Sequence, residues 1–385
     1  MISPKDAQLW LGEYDSKRIK LGVTGSHSAL DICDGSADEE IPNVVFSQKG
    51  RDATYDTYLK TVRGATGKRE RGCVDEVVRL EKFADQLSPR WQKWMRANNV
   101  LYVPNRSFTS YCDLDEIEKR FEVPLLGSRN MLRMEERDEK ENYYALLRKA
   151  NLRSPEEIVD PKSIRELAIV KLHHAKKKLE RGFFTCASHE EFQVKSKELI
   201  AAGTITKEDL GNARIERYII GPVFNCNFFY SPITRGEAKL ELLGVDWRFE
   251  SSLDGHVRIP ASQQMTLPPS QHIPEMTVVG HNTATIRESL LDKVYDMGER
   301  FVAASQAHYK PGMIGAFCLQ TVVDKDMQFH VYDVAPRIGG GTNVHVALGH
   351  PYGNALWRTN MSSGRRIARE VRRAAEHGLL RMIVT

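Results

Sequence analysis

The sequence predicts two unlike parts, an α/β part first and an α+β part after it. Three observations carry this. Through the first third, short apolar runs alternate with helical patterns. From Ile164 onward the pattern shifts to the two-residue alternation of antiparallel strands. The length of 385 residues exceeds what one core ordinarily serves.

In order, RIKLGVTGSHSALDIC alternates Ile19, Leu21 and Val23, breaks at Thr24-Gly25-Ser26-His27 and continues as a helix. NVVFSQKGRD and NNVLYVPNRSFTSYCDLDEIEKRF repeat that plan, and FEVPLLGSR adds a short strand. Such strands imply a parallel sheet whose ligands collect at the strand C-termini. NMLRMEERDEKENYYALLRKANL reads as a charged helix and a hinge into a new domain. LAIVKL, RGFFTCAS, ARIERYIIG, VFNCNFFYSP, AKLELLGVDWRFESS and HVRIPA follow as strands. A helix near Ile286 to Ala307 comes next, then the strands MIGAFCLQTVV and QFHVYDVAPRI, and last the amphipathic helix SGRRIAREVRRAAEHGLL. In that helix Arg365, Arg366, Arg369, Arg372 and Arg373 oppose Ile367, Val371 and Ala374, the pattern of a solvated face.

Composition narrows the function. Charged residues make up 28% of the chain and the net charge is +4, a far milder excess than nucleic-acid binders concentrate. The six cysteines are scattered without a CxxC pair, which argues for free thiols in a reducing cytoplasm and against a zinc knuckle. MISPKDAQLWLGEYDSKR has no apolar signal core, and no run approaches membrane-spanning length. The expectation is a cytoplasmic enzyme with small-molecule partners, no nucleic acid and no membrane.

Several motifs carry chemistry. Gly25-Ser26-His27 ends a strand before a helix, where free N–H groups and the helix dipole favour an anion, and His27 adds a hydrogen bond or charge. Ser107 follows another strand end and faces the same crevice. Lys171 ends an apolar run as a point charge for phosphates, and seven of the ten residues from Lys171 to Glu180 are charged or histidine. That loop is either a solvated surface run or a lid over phosphates. His173 and His174 are adjacent in sequence and make a poor pair of ligands for one metal. Glu216 to Gly221 is a carboxylate, a β run and a glycine break, an edge able to offer backbone groups to an adenine. Glu250 is a second candidate carboxylate. Gln320 and Asp333 lie in strands that, paired as a hairpin about DKDM, bring two oxygen ligands to one face, a set suited to Mg²⁺ shared with phosphates. The alternative is a buried Gln and Asp satisfied by hydrogen bonds. Arg337 falls on the same face if its strand continues, and GGGTN allows close backbone approach. His345 and His350 lack a convincing third ligand.

The order of these motifs resembles the ATP-grasp ligases, and among them the archaeal-type formate-dependent 5-formaminoimidazole-4-carboxamide ribonucleotide (FAICAR) synthetases. The likeness spans nearly the whole chain through GSHSAL, KGRD, VPNRSF, VPLLGSRNMLR, ELLGVDWRFESSLDG, IRESLL, PGMIGAFCLQ and GGGTN. It implies a Rossmann-like pre-ATP-grasp domain at 1–127 and an ATP-grasp domain at 128–385, with a nucleotide-binding lobe near 160–220 and a metal-binding lobe near 221–385. The implied reaction joins formate to 5-aminoimidazole-4-carboxamide ribonucleotide (AICAR) with ATP, giving FAICAR, ADP and phosphate through an acyl phosphate. The implied cofactors are ATP and Mg²⁺ or Mn²⁺, and the implied assembly a homo-oligomer. By motif position His27, Ser107 and Asn282 match the residues that hold the aminoimidazole nucleotide. Glu250 matches an ATP contact, Gln320 and Asp333 match the metal pair, and Lys171 with Glu216 to Ile219 match the phosphate and adenine positions. Lys171 and Arg337 are the candidate catalytic cations.

The chain departs from the family at four places. HHAKKKLERGFF stands where the family has a glycine-rich loop, Asp333 replaces Glu, Ala335 replaces a metal-binding asparagine, and His281 stands directly before Asn282. Two alternatives therefore stay open: a paralogue ligating another carboxylate and amine, for example for pterin or furan one-carbon carriers, and a nucleotide-binding protein without catalysis. If the basic run is a lid from Lys176 to Arg181, changing Lys176, Lys177 and Lys178 together to alanine weakens ATP binding more at low salt than at high salt. Parent-like affinity across a salt series would make the run a solvated surface.

Overall fold

The computed structural model describes residues 2–137, 139–172, 183–203, 205–236, 239–268, 271 and 277–385. The expected lid, with His173 and His174, lies outside the described residues.

The first part holds β1 (Lys20–Thr24), β2 (Asn43–Gln48), β3 (Val62–Arg63), β4 (Arg69–Arg71), β5 (Glu76–Leu80) and β6 (Val100–Tyr102). Strands β5-β2-β1-β6 form a parallel sheet, and β3-β4 pair separately as a small ribbon. Alternation sends Leu21, Val23, Val45 and Leu101 to one face and Val44, Phe46, Val78 and Tyr102 to the other, and both faces are buried. FEVPLLGSR makes isolated bridges, Leu125 to Tyr102 and Leu126 to Val384, in place of the expected strand.

The expected charged helix is broken into a 3-10 segment, Arg129–Glu135, and a helix, Tyr143–Lys149. Asn142 restarts it, its side chain accepting the N–H groups of Tyr144 and Ala145. Arg129, which ends FEVPLLGSR, is buried in the core. Its guanidinium donates to the carbonyls of Ile117, Phe121, Val123 and Thr385 at 2.7–2.9 Å, fastening the C-terminal residue to the first part.

The second part contains two antiparallel sheets. Strands β7 (Ala168–Lys171), β8 (Phe183–Cys186) and β9 (Arg214–Arg217) pair in the order β8-β7-β9. The larger sheet has β10 (Val223–Tyr230), β11 (Leu240–Glu250), β12 (Val278–Thr283), β13 (Gly315–Val323) and β14 (Phe329–Ala335), in the order β12-β11-β10-β13-β14. One face of it carries Phe228, Leu242, Phe317 and Leu319 against the helix Glu288–His308, where Phe301 stacks on Phe317 at 5.3 Å. HVRIPA forms no strand. Helical turns at Leu253–His256 and Ala261–Gln264 replace it, because Pro260 has no N–H to give a ladder and caps the second turn. The strand that completes the sheet is β12, further along.

The last helix, Ser363–Glu376, is not a solvated arginine face. Its arginines bind carboxylates from both parts of the chain. Glu39 receives Arg365, Arg369 and Arg372 at 2.8, 2.7 and 2.6 Å, while Arg366 is fully buried against Glu241 and Glu370. This helix crosses the helix Ala29–Asp38 at glycines. A Cβ on Gly35 would stand 2.0 Å from the Arg365 nitrogen, and one on Gly364 2.0 Å from the Asp31 carbonyl oxygen. Gly35→Ala or Gly364→Ala should therefore destabilise the chain by about 1–3 kcal/mol through overpacking, read as a lower Tm. Gly211→Ala, where an added methyl meets nothing within 4 Å, should leave Tm unchanged or slightly higher.

Candidate functional site

The polar face of the five-stranded sheet is a single row. Asp246, Asn225, Gln320 and Asp333 stand opposite one another across β11, β10, β13 and β14. Residues on paired positions share a face, so the row is a consequence of register. The β13-β14 register shifts between Gln320 and Thr321, which leaves Tyr332 as an extra residue next to Asp333. Such a bulge re-aims side chains. Here it brings the Tyr332 hydroxyl under Arg248, whose Nη2 donates to it at 2.6 Å and also to Gln320 Oε1.

Cations converge on Asp333. Its Oδ1 accepts the Val334 N–H at 3.1 Å, and its charge is felt by Arg106, Arg137, Lys171 and Arg248. Lys171 leaves β7 buried, donating to Tyr144 Oη at 3.1 Å and to the Tyr332 carbonyl at 3.2 Å, with Glu216 at 2.5 Å. Burial lowers the Lys171 pKa, against the pull of Glu216. Burial pushes Glu216 upward, but Lys171 and its other partners outweigh it and hold the carboxyl below its usual range. Arg214 binds the other Glu216 oxygen at 2.6 Å. Glu216 is thus the counter-charge to Lys171. Ile219, half-buried, lies in the irregular link between β9 and β10, where Tyr218 donates its N–H to the Leu167 carbonyl.

The first part supplies the opposite wall. A Cβ on Gly25 would stand 2.9 Å from both Tyr55 and Val45, so the turn needs glycine. His27 has φ 47°, a left-handed conformation rare outside glycine, and its carbonyl accepts Asn343 Nδ2 at 2.6 Å. Asn105 Nδ2 donates to the carbonyls of Thr24 and Ser26, setting Ser107 beside the same turn with its hydroxyl buried and without a protein partner. The triglycine Gly339–Gly341 lies between the walls. The Cβ position of Gly340 is 3.5 Å from His27 Nδ1, and that of Gly341 is 2.2 Å from Asp246 Oδ2 and 2.5 Å from the His281 ring. Side chains at Gly339 and Gly341 would collide with Asn227 and Asp246, so backbone alone fits.

The structure thus gathers Lys171, Gln320 and Asp333 on one side and His27 and Ser107 on the other. Glu250 ends β11 beyond Arg248, and burial raises its carboxyl pKa against the pull of that guanidinium. Asn282 is not brought in. It pairs with Trp247, an exposed position on the other face, and its Oδ1 accepts the Thr283 N–H. The neighbour His281 pairs with Arg248 and faces the polar row. Strand β14 ends at Ala335, so Arg337 lies past it, committed to Glu135 at 2.6 Å and the Ile338 carbonyl at 2.8 Å. His345 and His350 are core residues, and burial lowers His345 to about 3. Sequence reasoning passed over Arg248, Arg137, Tyr332 and Asp246, and noted His281 only as the neighbour of Asn282. The two-residue spacing of Asp246, Arg248 and Glu250 was the available signal.

The Lys171–Glu216 pair is testable without a ligand. Lys171→Met leaves a buried carboxylate with Arg214 as its remaining cation and Tyr144 as a neutral partner, and should cost about 3 kcal/mol in a urea titration, the lower end for breaking a buried pair. Adding Glu216→Gln should recover part of that loss. Additive losses would show that the two groups act independently.

Residues 191–385 match a family model described as "Domain of unknown function (DUF1297)", and residues 21–158 match one described as "Protein of unknown function (DUF1246)". The 5-formaminoimidazole-4-carboxamide-1-(beta)-D-ribofuranosyl 5'-monophosphate synthetase of Methanopyrus kandleri is 37% identical, with 100% of each chain covered. The protein of the same name from Methanocaldococcus jannaschii is 35% identical, again with 100% of each covered. Among solved structures, the IMP biosynthesis protein PurP from Thermococcus kodakaraensis superposes with a TM-score of 0.69 at 29% identity, covering 95% of this chain and 100% of its own. An N5-carboxyaminoimidazole synthetase from Staphylococcus aureus shares the fold alone, with a TM-score of 0.55 at 10% identity, covering 92% of this chain and 77% of its own. The fold is ATP-grasp behind a Rossmann-like α/β part, and the chain belongs to the family of 5-formaminoimidazole-4-carboxamide ribonucleotide synthetases.

Proposed function

We propose that this chain is an ATP-dependent carbon–nitrogen ligase that joins formate to the amine of AICAR, releasing FAICAR, ADP and phosphate. The observation that carries the reading is the Gln320–Asp333 pair, set under Arg248 and within reach of Lys171 and Arg137, opposite the His27 turn. Two oxygen donors are the right number for a divalent ion that arrives with phosphates, and too few for an all-protein cage. When bound there, Mg²⁺ or Mn²⁺ supplies neutralisation of phosphoryl oxygens.

The chain's own groups do the rest. Lys171, Arg137 and Arg248 meet the polyphosphate in a cleft withdrawn from water, where charge stabilisation is strong. The link at Tyr218–Gly221 presents backbone to the adenine, and Glu250 closes the nucleotide end. A formate oxygen attacks the γ-phosphorus and ADP leaves, giving formyl phosphate. The AICAR nitrogen then attacks the formyl carbon and phosphate leaves. His27 and Ser107 hold the ribonucleotide, and Gly339–Gly341 let it approach the backbone. Arg337 acts at one remove, since its bonds to Glu135 and Ile338 steady the start of the triglycine.

The same reading places the chain in the cytoplasm as a homo-oligomer acting on small molecules. Among the described residues no helix is long and apolar enough to cross a membrane. Purified protein with AICAR, formate and MgATP should release ADP and a formylated nucleotide in equal amounts. Asp333→Ala should lower kcat/KM by at least about 100-fold, near 3 kcal/mol of transition-state stabilisation. ADP release that depends on another amine, with no formylated nucleotide, would overturn the substrate assignment.

A further inference from the structure

Asp246 and His281 form a second constellation beside the phosphate side of the site. Asp246 is fully buried in β11, and its two oxygens accept Asn225 Nδ2 and Asn227 Nδ2, each at 2.7 Å. One point, the Cβ position of Gly341, lies 2.2 Å from its Oδ2 and 2.5 Å from His281 Cδ2, so the carboxylate and ring are immediate neighbours. The His281 ring is half-buried on the edge strand β12 and opens toward the triglycine. Other charged or titratable groups face it from the surrounding elements. Arg248 is its cross-strand partner on β11, His27 stands across Gly340, and His345 is buried behind Gly244.

A buried carboxylate close to an imidazole that opens to a cleft favours the protonated imidazole by its charge, which is what a general base requires as it takes up a proton. Acyl transfer to an amine needs such a group. We propose that His281, with the Asp246 carboxylate beside it, accepts the proton that the AICAR amine loses as its nitrogen bonds to the activated formyl carbon. The inference rests on the function proposed above. The nitrogen lone pair forms the C–N bond, and the bond from the formyl carbon to the phosphate oxygen breaks. Phosphate leaves with that electron pair, and the N–H proton passes to the imidazole and then to solvent at the half-open edge.

Strands β11 and β10 separate β12 from β13, and His281 pairs two residues along β11 from the Asp246 row, so the backbones of His281 and Gln320 stand roughly 16 Å apart for ordinary strand spacing. In this arrangement the phosphate and activated acyl group extend from the Gln320 end of that span, and the imidazole extends from the β12 end. Burial lowers the His281 pKa, against the charge of Asp246, which favours a neutral ring ready to take a proton.

The test is the pH profile of kcat at saturating substrates for the parent, His281→Asn and His281→Gln, with KM for AICAR measured alongside. In the parent, kcat rises with pH as His281 loses its proton. Both variants should lose that acid limb and about 100-fold in kcat, while KM stays within a few-fold. In His281→Ala, added imidazole should restore part of the rate. A parent-like kcat with the acid limb intact in His281→Asn would overturn the inference and leave the departing phosphate as the proton acceptor. A raised KM with the limb intact would also overturn it, making His281 a binding residue. Failure of the function itself shows separately, as no formylated product from the parent chain.

Discussion

Arg366 is the residue on which the two parts of the molecule turn. Its Nε and Nη2 fork onto Glu241, its Nη1 reaches Glu370 at 2.8 Å, and its guanidinium lies between the Phe229 ring at 4.1 Å and the Trp357 ring at 4.8 Å. Burying such a charge costs several kcal/mol, and only a complete set of partners returns it. Its carboxylate partners are themselves held: Trp357 donates to Glu241, and Ser231 donates to Glu370. Glu241 opens β11, the strand whose far end carries Asp246, Arg248 and Glu250. The guanidinium therefore ties the helix that grips the parallel sheet to the strand that presents the site. Glu39, held by three arginines of the same helix, repeats the tie from the other side.

From that anchoring the site follows by register. Once β11 is placed, antiparallel pairing puts Asn225 beside Asp246, Gln320 beside Asn225 and Asp333 beside Gln320, with no freedom left except at the bulge. The bulge is used where it matters. Without the extra residue at Tyr332, alternation would turn the tyrosine to the other face, and Arg248 would lose one of its two acceptors. The triglycine has the same logic in reverse. It lies so close to Asn227 and Asp246 that absence of side chains is its contribution.

The parts legible in the sequence were those with local causes. The strand-turn-helix at Gly25-Ser26-His27, the buried lysine at the end of β7, and the hairpin that faces Gln320 with Asp333 all follow from periodicity and turn residues within a few positions. What escaped has long-range causes. The arginines of the last helix look solvated until Glu39 and Glu241, more than a hundred residues away, are brought to them. Arg129 looks like the end of a short strand until Thr385 arrives to accept its N–H groups. Glu216 looks like a ligand for a nucleotide until β7 lays Lys171 against it. At Asn282 one residue of register is the whole difference between facing the site and facing away. The pairing with Arg248 turns His281 inward.

The charge balance of the cleft explains why these long-range ties are needed. Four cations are felt at Asp333, and two of them already have carboxylates: Lys171 has Glu216, and Arg106 has Glu135 and Glu136. Those pairs are intramolecular and rigid, so they hold the cations in place without cancelling the field that reaches the polar row. Arg248 is satisfied by neutral oxygens from Gln320 and Tyr332, which fix its direction while leaving its charge uncompensated at contact distance. A cleft built this way favours an anion that spreads charge over several oxygens, because each cation is already aimed and little reorganisation remains. The same preorganisation requires a backbone that does not yield. Like charges drawn together out of water repel, and what resists that repulsion is the sheet's register, held in turn by Arg366 and by the glycine crossing of the two helices.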